Sequence, residues 1–340
     1  MRVMITGGSG LIGRTTAAHL LDCGFDVHVT DLAAETDTPH TTYGVCDVTD
    51  FDAVRENIRG CDAVVHMAAL RNPLQGTGHD VFRINTVGTF HVFEAAAKEG
   101  IRRVVQASSI NAMGCGWNVG EFRPAYLPVD EGQPMRTSDP YALSKHHSEE
   151  IGAYFWRRDG ISSAALRFPG IYDPKEWHTP KRAAYRQMMV DFLNQFQQLP
   201  EDEQARKLAA VSARNLQVRA ERLIEYPYTN WPISEEINDD ELLWRAYLIE
   251  RHHLWASMDV RDAARAVELS LTAAFEGAYA MFVNDRHNQL GYDSEALARI
   301  FFPDVTARKK DLTGSTSLVS YDLARQVIGF EPKYSPHGEA

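Results

Sequence analysis

The chain has 340 residues, 44% of them hydrophobic and 24% charged, and a formal net charge of -11. That is a globular composition with enough apolar residues for a large core, in one domain or two. The negative charge argues against general binding to nucleic acid or to an anionic membrane, and no apolar run approaches the roughly 20 residues of a membrane span.

The start, "RVMIT" (2–6), reads as a short strand. It runs straight into glycines without a charged start and a long apolar stretch, so no signal peptide is expected. "GLIGRTTAAHLLDCG" (10–24) has helical spacing and stops at Gly24. "DVHVT" (26–30) is a strand, "DFDAVRENIRG" (50–60) a helix capped by Asp50, and "CDAVVHMAA" (61–69) a strand. A long helix is expected over 81–100, a strand over 101–109, a helix after Pro140 and a strand over 161–168. This βαβα rhythm predicts an α/β fold, a Rossmann-type doubly wound parallel sheet with helices on both faces. Residues 175–255 read as mostly helical.

The first turn, "TGGSGLIG", carries Gly7, Gly10 and Gly13 between a strand and a helix. Gly7 suits a tight turn, Gly10 lets the backbone approach a pyrophosphate, and Gly13 lets helix and strand pack closely. The second strand then ends at Asp31. A carboxylate there bonds the adenine ribose hydroxyls and repels a 2′-phosphate, which selects NAD over NADP. Further on, "SDPYALSK" puts Tyr141 and Lys145 four residues apart, on one helix face, with Pro140 in the first turn and Ser138 or Asp139 as the cap.

Together these residues resemble the short-chain dehydrogenase/reductase superfamily, and the long C-terminal part resembles its extended branch, the NAD-dependent epimerase/dehydratase family. The likeness covers residues 1 to about 174 and resumes around 257–271 and 317–332. It implies a nucleotide-binding unit over 1–170, completed by about 256–283. It also implies a smaller, largely helical substrate-binding part over 171–255 and 284–340. By this likeness Ser109, Tyr141 and Lys145 are the catalytic set. Gly7, Gly10, Leu11, Ile12, Gly13, Asp31, Asp47, Val48, Met67, Ala68, Ala69, Arg71, Asn85 and Pro169 hold NAD, together with Tyr141 and Lys145. A free tyrosine ionises near about 10, too high for a base at neutral pH. The resemblance implies that the Lys145 ammonium and the nicotinamide ring favour the phenolate.

The implied activity is oxidation of a secondary hydroxyl in a sugar, sugar acid or nucleotide sugar, ending as dehydrogenation or epimerisation. Ile110 and Asn111 follow Ser109 where 4,6-dehydratases of the family carry Thr-Asp-Glu, and Gly170 stands where many nucleotide-sugar enzymes carry asparagine. Two alternatives stay open: a non-sugar hydroxy compound as substrate, or a sensor that binds NAD without turnover. The resemblance also implies a homodimer through the helices at 81–99 and 141–158.

Other groups are read as structural. Cys23, Cys46, Cys61 and Cys115 show no metal-site spacing, no metal is expected, and a reducing cytoplasm is the default. His146 and His147 are expected on the surface, and His252 and His253 as cover for the core. Asp259 and Asp262 are expected to start a helix, and Arg182, Arg186 and Arg222 to be solvated helix arginines.

Overall fold

The computed structural model describes residues 1–221 and 237–337. Seven strands form one parallel sheet in the order β3-β2-β1-β4-β5-β6-β9. In chain order these begin with β1 (Arg2–Thr6), α1 (Leu11–Asp22), β2 (Asp26–Asp31), β3 (Thr42–Val45), α2 (Phe51–Ile58) and β4 (Ala63–His66). Next come α3 (Gly78–Lys98), β5 (Arg103–Ser109), α4 (Pro140–Asp159) and β6 (Ser162–Phe168). Alternate residues of each strand feed opposite faces, as the two-residue period of a strand requires. Val3, Ile5, Val65 and Val105 pack toward α1, whereas Met4, Val64 and Val104 pack toward Phe93 of α3 and Phe155 of α4. The chain reverses its strand order between β1 and β4, and the crevice at their carboxyl ends is where such sheets take ligands.

Local signals explain the helix starts. Asp139, rather than Ser138, caps α4 by accepting from the Ala142 amide at 2.8 Å, and Pro140 fills the first turn. α3 begins three residues before the predicted start, because Thr77 and Asp80 form a reciprocal capping box. The edge strand β3 was not predicted. Its four residues show no inward-outward alternation of burial.

Beyond β6, β7 (Gly170–Tyr172) pairs in parallel with a later strand, β8 (Ser257–Asp259). Between them lie α5 (Pro174–Trp177), α6 (Pro180–Phe196), α7 (Glu201–Glu221) and α8 (Asp239–Arg245). α8 runs into a π turn over Ala246–Glu250 and a 3₁₀ turn over Arg251–His253. Then α9 (Val260–Thr272) packs on α1, and β9 (Ala278–Phe282) adds the seventh strand beside β6. The last elements are α10 (Ser294–Phe301) and α11 (Asp322–Ile328). A second core joins Phe192 and Phe196 of α6, Trp244 of α8, Trp255, and Leu297 and Phe301 of α10. Among the described residues no helix is long and apolar enough to cross a membrane.

Candidate active site

The glycine turn sits at the carboxyl end of β1. Gly7 has φ +66°, and a Cβ there would lie 2.6 Å from the Ala68 amide nitrogen. A Cβ on Gly13 would meet the Gly7 carbonyl at 2.5 Å. Side chains are therefore excluded at both positions, and the backbone of β1, β4 and α1 closes up. At Gly10 a Cβ would meet only the Gly7 carbonyl, at 3.4 Å, so the turn is open on that side. Gly10 caps α1 without a side-chain bond, which leaves the first-turn amides of Leu11 and Ile12 for an anion. The Asp31 carboxylate accepts from the Ser9 amide at 2.9 Å and the Leu32 amide at 2.8 Å, so it is locked beside the turn. These residues fit a dinucleotide: a cradle of backbone with a fixed carboxylate at its edge.

Asp47 caps its own turn through Thr49, and Val48 is buried beneath α3, where a Cβ on Gly88 would strike it. Met67, Ala68 and Ala69 follow β4 over the glycine turn, and the Ala68 amide donates to Thr6 Oγ1 at 3.2 Å. Asn85 ties three segments together. It accepts from the Leu70 amide, donates to the Leu70 carbonyl, and donates to Ser144 Oγ of α4, each within 2.9 Å. Pro169 follows β6, and Arg71 exerts its charge on Tyr141.

Ser109 ends β5, and its Oγ accepts from the Asn111 amide at 3.1 Å. Tyr141 is buried, and Ser109 is the side chain that acts most strongly on its phenol in favour of the ionised form. Lys145 is also buried and donates to the Ala107 carbonyl at 2.7 Å, with its ammonium 5.9 Å from the centre of the Tyr141 ring. Burial pushes the Tyr141 phenol up to about 12; Ser109 and Arg71 pull it down, while Asp139 and Cys115 push it further up. Burial also lowers Lys145 to about 8, against the pull of Glu149. The expected tuning of the phenol by Lys145 is thus not the leading protein effect. The ammonium is committed to a carbonyl of β5, and the serine is the group that most favours the phenolate.

Sequence reasoning missed a polar layer beneath these residues. His66 lies between Thr6 Oγ1 at 2.7 Å and Thr89 Oγ1 at 3.2 Å. Thr89 gives its own proton to the Asn85 carbonyl, so it accepts from His66, which assigns the ring proton to Nε2. Burial, then Lys145, hold this ring far below its usual range, at about 3. Glu149 accepts both Arg167 bonds at 2.8 Å and one from Ser108 at 2.5 Å. The signal for Glu149 was available: 141, 145 and 149 form one stripe of α4, with Ser144 and Ser148 on the next.

The remaining groups fall outside this constellation. His147 is exposed and His146 half-buried. Asp259 caps α9 and pairs with Arg261, and Asp262 accepts the Lys333 and Tyr334 amides. Arg182 and Arg186 lie over the Trp177 ring at 5.0 and 5.8 Å; Arg222 lies outside the described residues. Cys115 is buried, its thiol bonded to Asn111 Oδ1 at 3.1 Å and pushed up by burial.

A family model described as "NAD dependent epimerase/dehydratase family" matches residues 3–211. The chain belongs to that family. Uronate dehydrogenase of Pseudomonas syringae pv. tomato is 29% identical over 168 residues, covering 49% of this chain and 58% of that one. NAD-dependent glucose-6-phosphate dehydrogenase of Haloferax volcanii is 30% identical over 189 residues, covering 52% and 71%. The chain spans just over half the length of the first curated relatives it matches. Among solved structures, a short-chain dehydrogenase/reductase superfamily protein from Agrobacterium tumefaciens with bound NAD superposes with a TM-score of 0.63 at 21% identity, over 99% of this chain and 94% of that one. That likeness concerns the fold.

Proposed function

We propose that this chain is an NAD-dependent oxidoreductase or epimerase acting on a secondary hydroxyl of a sugar, sugar acid or nucleotide sugar. The reading rests on one observation: a buried Tyr141 one helical turn from the buried Lys145, with Ser109 at the end of β5 acting on its phenol. Relatives named for uronate and glucose 6-phosphate support a sugar or sugar acid as substrate. Bound NAD would supply the hydride acceptor. Asp31 holds the adenosine end and the glycine turn the phosphates. Ser109 Oγ would hold the substrate hydroxyl against Tyr141, whose Oη, ionised under the positive charge of Lys145 and of the bound nicotinamide ring, would receive the proton. Lys145, fixed on the Ala107 carbonyl, keeps a positive charge one helical turn from Tyr141. Four free cysteines accord with a reducing cytoplasm.

The test is to incubate the protein with NAD⁺ and a panel of free sugars, sugar acids and nucleotide sugars. NADH absorbance reports oxidation, and NMR reports silent epimerisation. Turnover of at least one sugar is expected. Turnover of a non-sugar alcohol alone would replace the substrate class. Tight NAD binding with no turnover of either kind would make the chain a sensor.

The same reading includes a homodimer. Val87 and Phe90 of α3 and Leu143 and Tyr154 of α4 are large apolar side chains left exposed, which supports a four-helix contact between two copies. Light scattering at micromolar concentration should give twice the chain mass. A monomer mass removes the dimer from the account.

A further inference from the structure

Helix α7 lies outside the sheet and the glycine turn, yet one of its side chains reaches the loop that follows Ser109. Arg219 is 1% exposed. Its Nη1 donates to the Asn118 carbonyl, its Nη2 to the Gly116 carbonyl at 3.3 Å, and its Nε to Asn215 Oδ1 at 3.0 Å. His252 Nε2 lies 2.9 Å from Nη2, and burial, then the charge of Arg219, keep that imidazole neutral, so it accepts. Asn215 in turn donates to Glu121, which also accepts from Ser212 and Tyr247.

The loop held in this way has little freedom. Gly114 has φ +83°, and a Cβ there would lie 2.3 Å from the Arg136 carbonyl. A Cβ on Gly116 would lie 2.3 Å from Asn111 Oδ1. From the clamp, two short paths lead to the candidate catalytic pair. The Gly116 amide donates to Asn111 Oδ1 at 2.7 Å, and the Asn111 amide donates to Ser109 Oγ at 3.1 Å. On the other side, Asn118 Oδ1 accepts from the Ser138 amide at 2.7 Å, and Asp139, the next residue, caps the helix that carries Tyr141.

We propose that Arg219 is a positioning residue for Ser109 and Tyr141: by holding the Gly116 and Asn118 carbonyls it fixes the one loop that sets both, which makes the helical segment between β7 and β8 part of the active-site scaffold. The proposal rests on the reading of Ser109 and Tyr141 given above. Arg219 touches neither residue, so it acts through the loop. A guanidinium is suited to the task because its rigid planar fork presents five donors in fixed directions, so acceptors on two sides are met at once.

The experiment is a double-mutant cycle with a substrate found by the panel above, using Arg219→Met, Ser109→Ala and the double variant. Arg219→Met should lower kcat by about tenfold or more while NADH affinity stays within about twofold. Placed on Ser109→Ala, it should add less than about twofold, because the arginine acts through the serine and tyrosine, which work as one unit. Multiplied losses, or an unchanged kcat with only a lower melting temperature, overturn the proposal. Should Arg219→Met fail to fold, Arg219→Lys enters the same cycle with the same two criteria, and its kcat should lie between those of the wild type and Ser109→Ala.

A readout without substrate separates this proposal from the sugar reading. Tyr141, labelled with ¹³C at Cζ, is titrated by NMR in both proteins. The groups acting on it are Ser109, Asp139, Cys115 and Arg71. Because Ser109 favours the phenolate, displacing it should raise the midpoint in Arg219→Met even if no sugar is ever turned over. An unmoved midpoint overturns the positioning role and leaves the functional reading intact.

Discussion

The nucleotide half and the helical segment between β7 and β8 place their polar groups by different means. Around the glycine turn the backbone does the placing. Gly7, Gly13 and Ala68 close upon one another, and Asp31 is fixed by the amides of Ser9 and Leu32. In the helical segment long side chains do it. Arg219 crosses to the Gly116 and Asn118 carbonyls, and the buried Arg251 reaches the Phe301 carbonyl at 2.9 Å and lies over the Tyr247 ring at 4.6 Å. The first kind of site depends on spacing along a strand and its turn. The second depends on single residues whose carbonyl partners lie between 50 and 103 positions away. Substitutions should therefore act differently in the two regions: on cofactor binding and chemistry in the first, on loop geometry and stability in the second.

The largest effect that sharpens this contrast belongs to Lys145. Lys145→Met removes the ammonium bonded to Ala107. Turnover should fall by about 100-fold or more, the scale of a lost catalytic group, and NADH should also bind more weakly. Steady-state kinetics with NADH fluorescence titration reads both. Full cofactor affinity in the variant would move Lys145 out of the cofactor site.

A smaller effect is expected at Asp31. The wild type should bind NADH at least about tenfold more tightly than NADPH, by charge repulsion and lost ribose bonds. Asp31→Ala should narrow that gap in calorimetry. Equal affinities in the wild type would show that the carboxylate does not select.

The smallest effect tests the helical segment. Glu250, at the end of the π turn, accepts from Gln289, and burial pushes its carboxyl up to about 7 despite Arg182. A carboxyl raised in the folded state favours folding below its ordinary value of 4.5, and that contribution is lost as pH rises through about 7. Relative to Glu250→Gln, the wild type should therefore lose melting temperature between about pH 5 and 8. A difference that stays flat with pH would mean that Glu250 titrates normally.

The same contrast governs what could be read from the sequence. The strands β1, β2, β4, β5 and β6, the glycine turn, Asp31 and the pairing of Tyr141 with Lys145 are visible because each depends on local spacing. β3 was invisible because four half-exposed edge residues carry no period. Glu149 was within reach, since it continues the stripe of Tyr141 and Lys145, but its partner Arg167 lies on a strand 18 positions away. For Arg219, helical periodicity gives the face of α7 and nothing more. Its two carbonyl acceptors belong to a loop with no spacing that links it to α7, and only tertiary packing brings them together.

Tyr141→Phe tests the central claim most directly. The substitution keeps the ring and its packing and removes only the hydroxyl. On a verified substrate, kcat should fall by about 100-fold or more while NADH affinity stays within a few-fold. A variant that keeps most of its turnover would mean that the proton is taken elsewhere, with His253 and Cys115, both beside the Ser109 loop, the next groups to replace.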